Sequence, residues 1–325
     1  MTAPDFPEIE LALISSAMSG DAGKLYRIAA NLMDQGVSFE SILFDYLIRA
    51  ERSVGQRWAQ GDYLVAEEHA VTASIETVIS LLIGMFDQPA DAPMVVVATA
   101  EGDQHSLPAR AAAAHLVYLG YRTTFLGANV PSDDLRVFLE SEPPAALVLS
   151  VAMSTHLVGA RAVIAAAHEV GVPVLVGGKG VGEHGEWSEI VGADAYVESL
   201  RDVALIVDEW AKDGSPQVEA VAALPQDLIE LRAARSAILA GAEADLDPNS
   251  TRLKDEARLL LGAIEGALLT GDDRMVVDML DWQEGSLGAH GLDGSVVADA
   301  LAQPLADVSE KGSAVLARAR EIRAG

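Results

Sequence analysis

The stretch MVVVATAEGDQHSLPAR, residues 94 to 110, decides the fold. It opens with an unbroken apolar run and passes through Gly102, Asp103 and His105. It then enters an alanine-rich segment with Pro108 near its start. An apolar run without polar alternation predicts a strand buried on both faces, and the alanines predict a helix covering one of them. The same unit recurs downstream. TTFLG (123–127), ALVLSVAM (146–153), VPVLVGG (172–178) and the weaker ADAYV (193–197) read as strands. Helices are expected near 106–119, 132–140, 156–170 and 199–212. Alternating strands and helices of this kind predict a doubly wound, flavodoxin-like α/β domain over residues 91–213, whose ligand crevice lies beyond the strand C-termini. Asp103, His105, Ser150, Gly177 and Gly178 all fall there.

The flanks are helical. Residues 8–86 hold four amphipathic segments with short connections, so residues 1–90 are expected to form a four-helix bundle. Residues 214–224 read as a linker, and 225–325 as a third, all-helical domain interrupted at DLDPNS, at GSLGAHGLDG and at Pro304. Leu259–Leu261, Leu268–Leu269, Val276–Val277 and Met279–Leu280 are expected to give it a core of its own.

Composition excludes whole classes of function. The chain has no cysteine, which removes disulfides, thiolate catalysis, cysteine-ligated metals and thioether-linked cofactors. Its net charge of −27 argues against direct nucleic-acid binding, which rests on clustered Lys and Arg. The N-terminus has neither the basic start nor the apolar run of a signal peptide, and no segment is long and apolar enough to span a membrane. The expected location is cytoplasmic.

An Asp-x-His pair on a loop also serves as a simple helix cap. The set of strand-end residues points further. Asp103-x-His105-x-x-Pro108 after the first strand, Ser150 ending the third and Gly177–Gly178 ending the fourth resemble the cobalamin-binding domain. The resemblance implies that His105 is the lower axial ligand of cobalt and that Asp103 fixes its tautomer. It also implies that Ser150, Ser154 and the two glycines line the slot for the nucleotide tail. Pro108 replaces the family's usual glycine and Ala152 its usual leucine.

Upstream, Trp58 is followed by nine residues and then Glu68–His69, which resembles the adenosylcobalamin photoreceptors of the CarH type. By that resemblance Trp58 packs near the upper adenosyl group, Glu68 bonds its ribose and His69 stands beside them. Those photoreceptors carry a histidine directly after the tryptophan, where this chain has Ala59. After photolysis the upper position is then expected to take water or to recruit another group, with His69 the nearest candidate. The implied function is a light sensor, with photolysis of the Co–C bond moving the bundle. Its expected output is a homo-oligomer or a partner signalling protein, since the chain starts at the bundle without a helix-turn-helix. An added helical domain resembles the photocobilins, which implies noncovalent biliverdin there, with His290 a candidate contact; a docking or dimerisation module and a haem site at His290 are the other readings. The alternative is a corrinoid methyl-carrier protein partnering a methyltransferase. A mutase ranks behind both. His115 and His168 read as structural, and His184 and Lys179 as loop residues.

Overall fold

The computed structural model describes residues 6–324. Met1–Asp5, part of the segment read as lacking a leader, lie outside the described residues. The N-terminal helical domain consists of α1 (Phe6–Met18), α2 (Ala22–Asp34), a long third helix and α5 (Val65–Ile83). The third helix runs from α3 (Phe39–Ser41) through a π-helical segment (Ile42–Leu47) into α4 (Ile48–Ala59). Asp21 and Ser38 cap α2 and α3 by accepting from main-chain N–H groups, as short polar side chains at these positions do. Leu25, Ile42, Leu43, Val54, Val71, Ile75 and Ile79 close the interior.

The α/β domain follows the expected order. The strands are β1 (Met94–Thr99), β2 (Arg122–Phe125), β3 (Ala146–Ser150), β4 (Val174–Gly177) and β5 (Ala195–Val197). They pair in parallel in the order β2-β1-β3-β4-β5. The helices between and after them are α6 (Ser106–Tyr118), α7 (Ser132–Ser141), α8 (Leu157–Glu169), α9 (Ser188–Val191) and α10 (Val203–Asp213). Alternate side chains of β1 serve opposite faces. Val95 and Val97 pack on α6 and α10, whereas Val96 and Ala98 face the side covered by α7 and α8. The chain reverses its strand order between β1 and β3, and the crevice opens there.

The C-terminal region comprises α11 (Gln226–Ala233), α12 (Arg235–Asp245), α13 (Thr251–Thr270), α14 (Arg274–Ala289), α15 (Ser295–Ala306) and α16 (Glu310–Ala324). Its apolar interior does not close on itself. Leu260, Ile264, Met275 and Leu301 belong to one continuous core with Val96, Leu149 and Val176 of the sheet. Two glycines one turn apart permit this. A Cβ on Gly262 would stand 2.7 Å from the Thr155 carbonyl oxygen, and one on Gly266 3.2 Å from the Ser154 carbonyl oxygen. Of the expected interruptions, GSLGAHGLDG breaks only in its second half, at residues 290–294 between α14 and α15, and Pro304 makes none. α14 continues through Gly285 and Gly288 because Ser286 and Leu287 are buried on its inner face, so His290 is its C-cap rather than a loop residue. α15 runs through Pro304 to Ala306, and Gly241 of α12 makes room for the proline ring.

The segment 214–224 has no helix or strand, yet it is fastened to the α/β domain. Arg161, buried on α8, donates to the carbonyls of Ile190 and Ala222. His168 Nδ1 lies 2.8 Å from the Glu219 carbonyl and Nε2 2.8 Å from the Asp194 carboxylate. Both partners accept, so both ring nitrogens must carry protons, and the latched form is the imidazolium. Burial opposes that charge, but the Asp194 hydrogen bond, its charge and the Glu219 carbonyl outweigh it and raise the His168 pKa. A raised histidine pKa stabilises the fold fully below the unfolded value near 6.5 and loses that stabilisation as pH rises through the folded value. The wild-type melting temperature should therefore step down as pH rises above about 6.5, with about 1.4 kcal/mol of stability lost per unit of pKa displacement. His168→Gln should melt lower and lack the step.

Candidate functional site

His105 is the N-cap of α6, at the C-terminal end of β1. The preceding turn is set by Gly102, whose φ of +90° suits glycine, and by Asn129, which accepts from the Gly102 N–H at 2.7 Å. Asp103 is fully buried in this turn. Its Oδ1 accepts from the His105 main-chain N–H at 3.0 Å and lies 2.7 Å from His105 Nδ1; its Oδ2 accepts from the Ala152 N–H at 2.8 Å. One carboxylate thus ties the loop after β1 to the loop after β3.

This geometry decides the histidine's chemistry. A carboxylate only accepts, so the proton sits on Nδ1 and Nε2 keeps its lone pair. The His105 side chain is 54% exposed, so Nε2 is available. The Asp103 hydrogen bond raises the His105 pKa against the opposing effect of burial, and the charges of Asp103, Glu68 and Glu51 add to it. For Asp103, burial acts upward, but the His105 bonds and the charges of His105 and His156 hold its pKa below the usual carboxylate value.

Two carboxylates of the N-terminal helices stand within electrostatic reach of this histidine. Glu51 on α4 has a raised pKa, first from burial and then from the charge of Glu68, while His105 and Arg52 pull it down. Glu68 on α5 meets His69 Nδ1 and accepts from the Thr72 hydroxyl at 2.9 Å. Glu51 went unnoticed in the sequence. Its signal was the i,i+7 spacing to Trp58, which puts both on one face of α4. The Ser106 hydroxyl, next to His105, donates to Glu76 of α5, and Arg110 donates to Ser80 at 2.9 Å.

The expected upper pair separates. Glu68 stays on the side facing His105, but the Trp58 ring turns to the C-terminal helices, 6.0 Å from the Trp282 ring and 6.4 Å from His290. The Arg252 guanidinium lies over it at 5.6 Å. Trp58 Nε1 is buried and has no hydrogen-bond partner. His69 is largely exposed and bound to Glu68. His290 gives Nδ1 to the Ser286 carbonyl at 2.8 Å.

Ser150 is buried and pairs across the sheet with Thr99 and Gly177. Gly178 has φ +104°, and a Cβ there would stand 2.3 Å from the Val151 carbonyl oxygen, so its close approach is to the chain's own backbone. Ser154 opens a one-turn 3-10 helix whose main chain is covered by α13, as the Gly266 contact shows. His156, in that turn, has Nδ1 3.7 Å from Asp103 Oδ1. Among the described residues, no group of three or more His, Asp or Glu side chains could hold a bare metal ion, and no helix is long and apolar enough to cross a membrane. A metal already held in a macrocycle needs only one protein ligand, and an imidazole with a fixed tautomer suits it.

Residues 93–205 match a family model described as B12 binding domain, and residues 10–83 match a second model of that description. Cobalamin binding is what both matches support. The cobalamin-binding portion is 27% identical over 187 residues to trimethylamine corrinoid protein 1 of Methanosarcina mazei, covering 54% of this chain and 84% of that protein. It is 30% identical over 140 residues to the HTH-type transcriptional repressor CarH of Myxococcus xanthus, covering 40% of this chain and 44% of the repressor. The monomethylamine corrinoid protein of Methanosarcina barkeri shares the fold, with a TM-score of 0.51 and 20% identity over 60% of this chain and 96% of that one. The buried Asp103 and the exposed side chain of His105, with its proton fixed on Nδ1, fit a cobalamin at the strand ends.

Proposed function

We propose that this chain is a corrinoid protein that holds cobalamin by His105 and works as a methyl carrier for a methyltransferase partner. The observation that carries the reading is the Asp103–His105 pair at the point where the strand order reverses. Relatives named as corrinoid proteins, matched over most of their own length, support it. When bound, the cofactor supplies a cobalt centre able to hold and release a carbon ligand. The chain's own part is binding and orientation. Asp103 keeps the proton on Nδ1, and His105 offers Nε2 to the lower side. Ser150, Ser154, Gly177 and Gly178 border the slot assigned to the nucleotide tail. Glu51, Glu68 and Trp58 stand on the helices above, and His69 is the nearby imidazole for an upper position.

A second reading, an adenosylcobalamin light sensor, is favoured by one contact. Trp58 is gripped by Trp282, His290 and Arg252 of the C-terminal helices, so a shift of α4 would reach a third domain. Its output would be a change of oligomer or a signalling partner. The extension to noncovalent biliverdin, with His290 in contact, rests on architecture; the relatives above do not carry it. A cavity of about 300 Å³ between α4 and α14, lined by Gln60, Asp281 and Trp282 among others, is small for such a pigment.

The test is to load the chain separately with methylcobalamin and adenosylcobalamin, then record spectra and gel-filtration volumes in the dark and after green light. A cobalamin spectrum with the histidine-ligated, base-displaced form and a light-independent elution volume is expected of the carrier. A light-dependent elution volume in the adenosylcobalamin form alone selects the sensor. Loss of both cobalamins on the column rejects both readings.

A further inference from the structure

The apolar cores divide the chain unevenly. The C-terminal helices share one core with the sheet. The N-terminal helices close a core of their own, whose buried members beyond them are Leu107, Ala111 and Ala114 of α6. They rest on the α/β domain as a separate body, tied to it by exposed bonds such as those of Arg201 to Glu40 and Asp45, both 2.8 Å. Exposed ion pairs of this kind contribute little each.

The same body is gripped from the C-terminal side, at the end of α4. Trp282 of α14, His290 and Arg252 of α13 surround the Trp58 ring. The main chains meet just beyond it. Gly61 has φ +83°, and a Cβ there would stand 2.8 Å from the Ala289 carbonyl oxygen. The gripped helix also carries Glu51, two turns before Trp58, whose charge reaches His105.

Arg252 is the part of this grip with a second place to go. Its guanidinium lies over Trp58 and donates to the buried Ser286 hydroxyl at 3.0 Å. One turn further along α13 stands Glu256, which is buried. Gln283 gives its Nε2 to the Glu256 main-chain oxygen at 2.8 Å and to its carboxyl group at 3.1 Å, while its own Oε1 is buried without a partner. Burial raises the Glu256 pKa, against the Gln283 bond and the Arg252 charge. A buried acid beside an orphaned amide oxygen leaves acceptors unfilled, and a guanidinium is the donor that suits such a pair.

We propose that the C-terminal helices are a clasp that holds the N-terminal helices closed against the His105 site. Arg252 is its catch, lying on Trp58 when closed and turning to Glu256 and Gln283 when the N-terminal helices swing out. This rests on the cobalamin reading above and adds the regulation of that site. The clasp serves either function, since a methyl carrier must bare its cobalt to a partner and a light sensor must pass on a movement of α4.

The experiment uses the full chain. Its lack of cysteine lets Lys24→Cys with Glu310→Cys carry spin labels at two exposed positions, one on either side of the clasp. Pulsed electron resonance reads the distance between them, without cobalamin and with hydroxocobalamin bound. The rate at which cyanide replaces the upper ligand of bound hydroxocobalamin reads access to the cobalt. Arg252→Met and Trp282→Ala change partly exposed side chains, so both variants should fold, and circular dichroism melts check it. In both, a longer distance should appear and cyanide should react about tenfold faster, the order for losing one cation–π or aromatic contact. Arg320→Met, whose ion pair with Asp299 lies within the C-terminal helices, should leave both readings as in the wild type. Unchanged distances in Arg252→Met and Trp282→Ala overturn the proposal, and so does an unchanged cyanide rate. A wild type that retains no hydroxocobalamin overturns the cobalamin reading instead, and the distances in the cobalamin-free chain still decide the clasp.

Discussion

Asp103→Ala should weaken cobalamin retention by about 10- to 100-fold, the usual effect of losing the group that orients a metal-bound histidine. It should also destabilise the cobalamin-free chain by about 2–4 kcal/mol, because the N–H groups of His105 and Ala152 lose their acceptor in a buried turn. Asp103→Asn separates the two effects. The amide can still accept from Ala152 through one atom, so part of the stability should survive, although the His105 main-chain N–H loses its acceptor. Its other atom is a donor, and facing His105 Nδ1 it would move the ring proton to Nε2, the nitrogen needed for cobalt. Thermal melts of the cobalamin-free variants and spectral titrations with hydroxocobalamin read the two effects independently. An Asp103→Asn protein that melts like wild type and binds cobalamin equally well would remove Asp103 from the site.

Gly159→Ala should cost about 2–3 kcal/mol of stability, the range for forcing extra volume into a packed interior, although alanine is the better helix former. Gly159 lies in the first turn of α8, and its Cβ would stand 2.0 Å from the Glu101 carbonyl oxygen and 2.9 Å from the carbonyl carbon. These are main-chain atoms, so the loop itself must move. That loop is held by the Gly102 bond to Asn129 and by the Ser132 N–H to Glu101, and two residues later it carries Asp103. The substitution should therefore lower the melting temperature and weaken cobalamin binding together, without touching a ligand. Gly285→Ala is the control. It too is a helix glycine, its Cβ would meet nothing within 4 Å, and it should be neutral or slightly stabilising. Equal melting temperatures for Gly159→Ala and wild type would show that the loop yields freely.

Much of the site was legible because its defining contact is local. Asp103 and His105 are two residues apart, and the bond between them needs only the turn that Gly102 makes. The strand before them ends at Thr99 and the helix after them starts at Ser106, as the apolar run and the alanine segment indicate. The expected break at GSLGAHGLDG occurs, but only in the second half of that stretch, at residues 290–294. Two glycines outweigh helix propensity only where packing is silent, and here Ser286 and Leu287 are buried on one face of α14. Helix and strand periods likewise suggested a separate C-terminal core. They report which side of an element is apolar, but not which surface it meets.

The sequence by itself determined the parallel α/β order, the placing of Asp103 and His105 at a strand end, and the absence of every cysteine-based chemistry. Only the tertiary structure decided that Glu51 comes within electrostatic reach of His105, that Trp58 leans on Trp282 and His290, and that Gly262 and Gly266 seat α13 on the turn of Ser154. The physical reason is the range of the forces involved. Hydrogen bonds within a turn are set by a few neighbouring dihedrals, whereas packing between domains depends on the shapes of surfaces built from residues far apart in the chain.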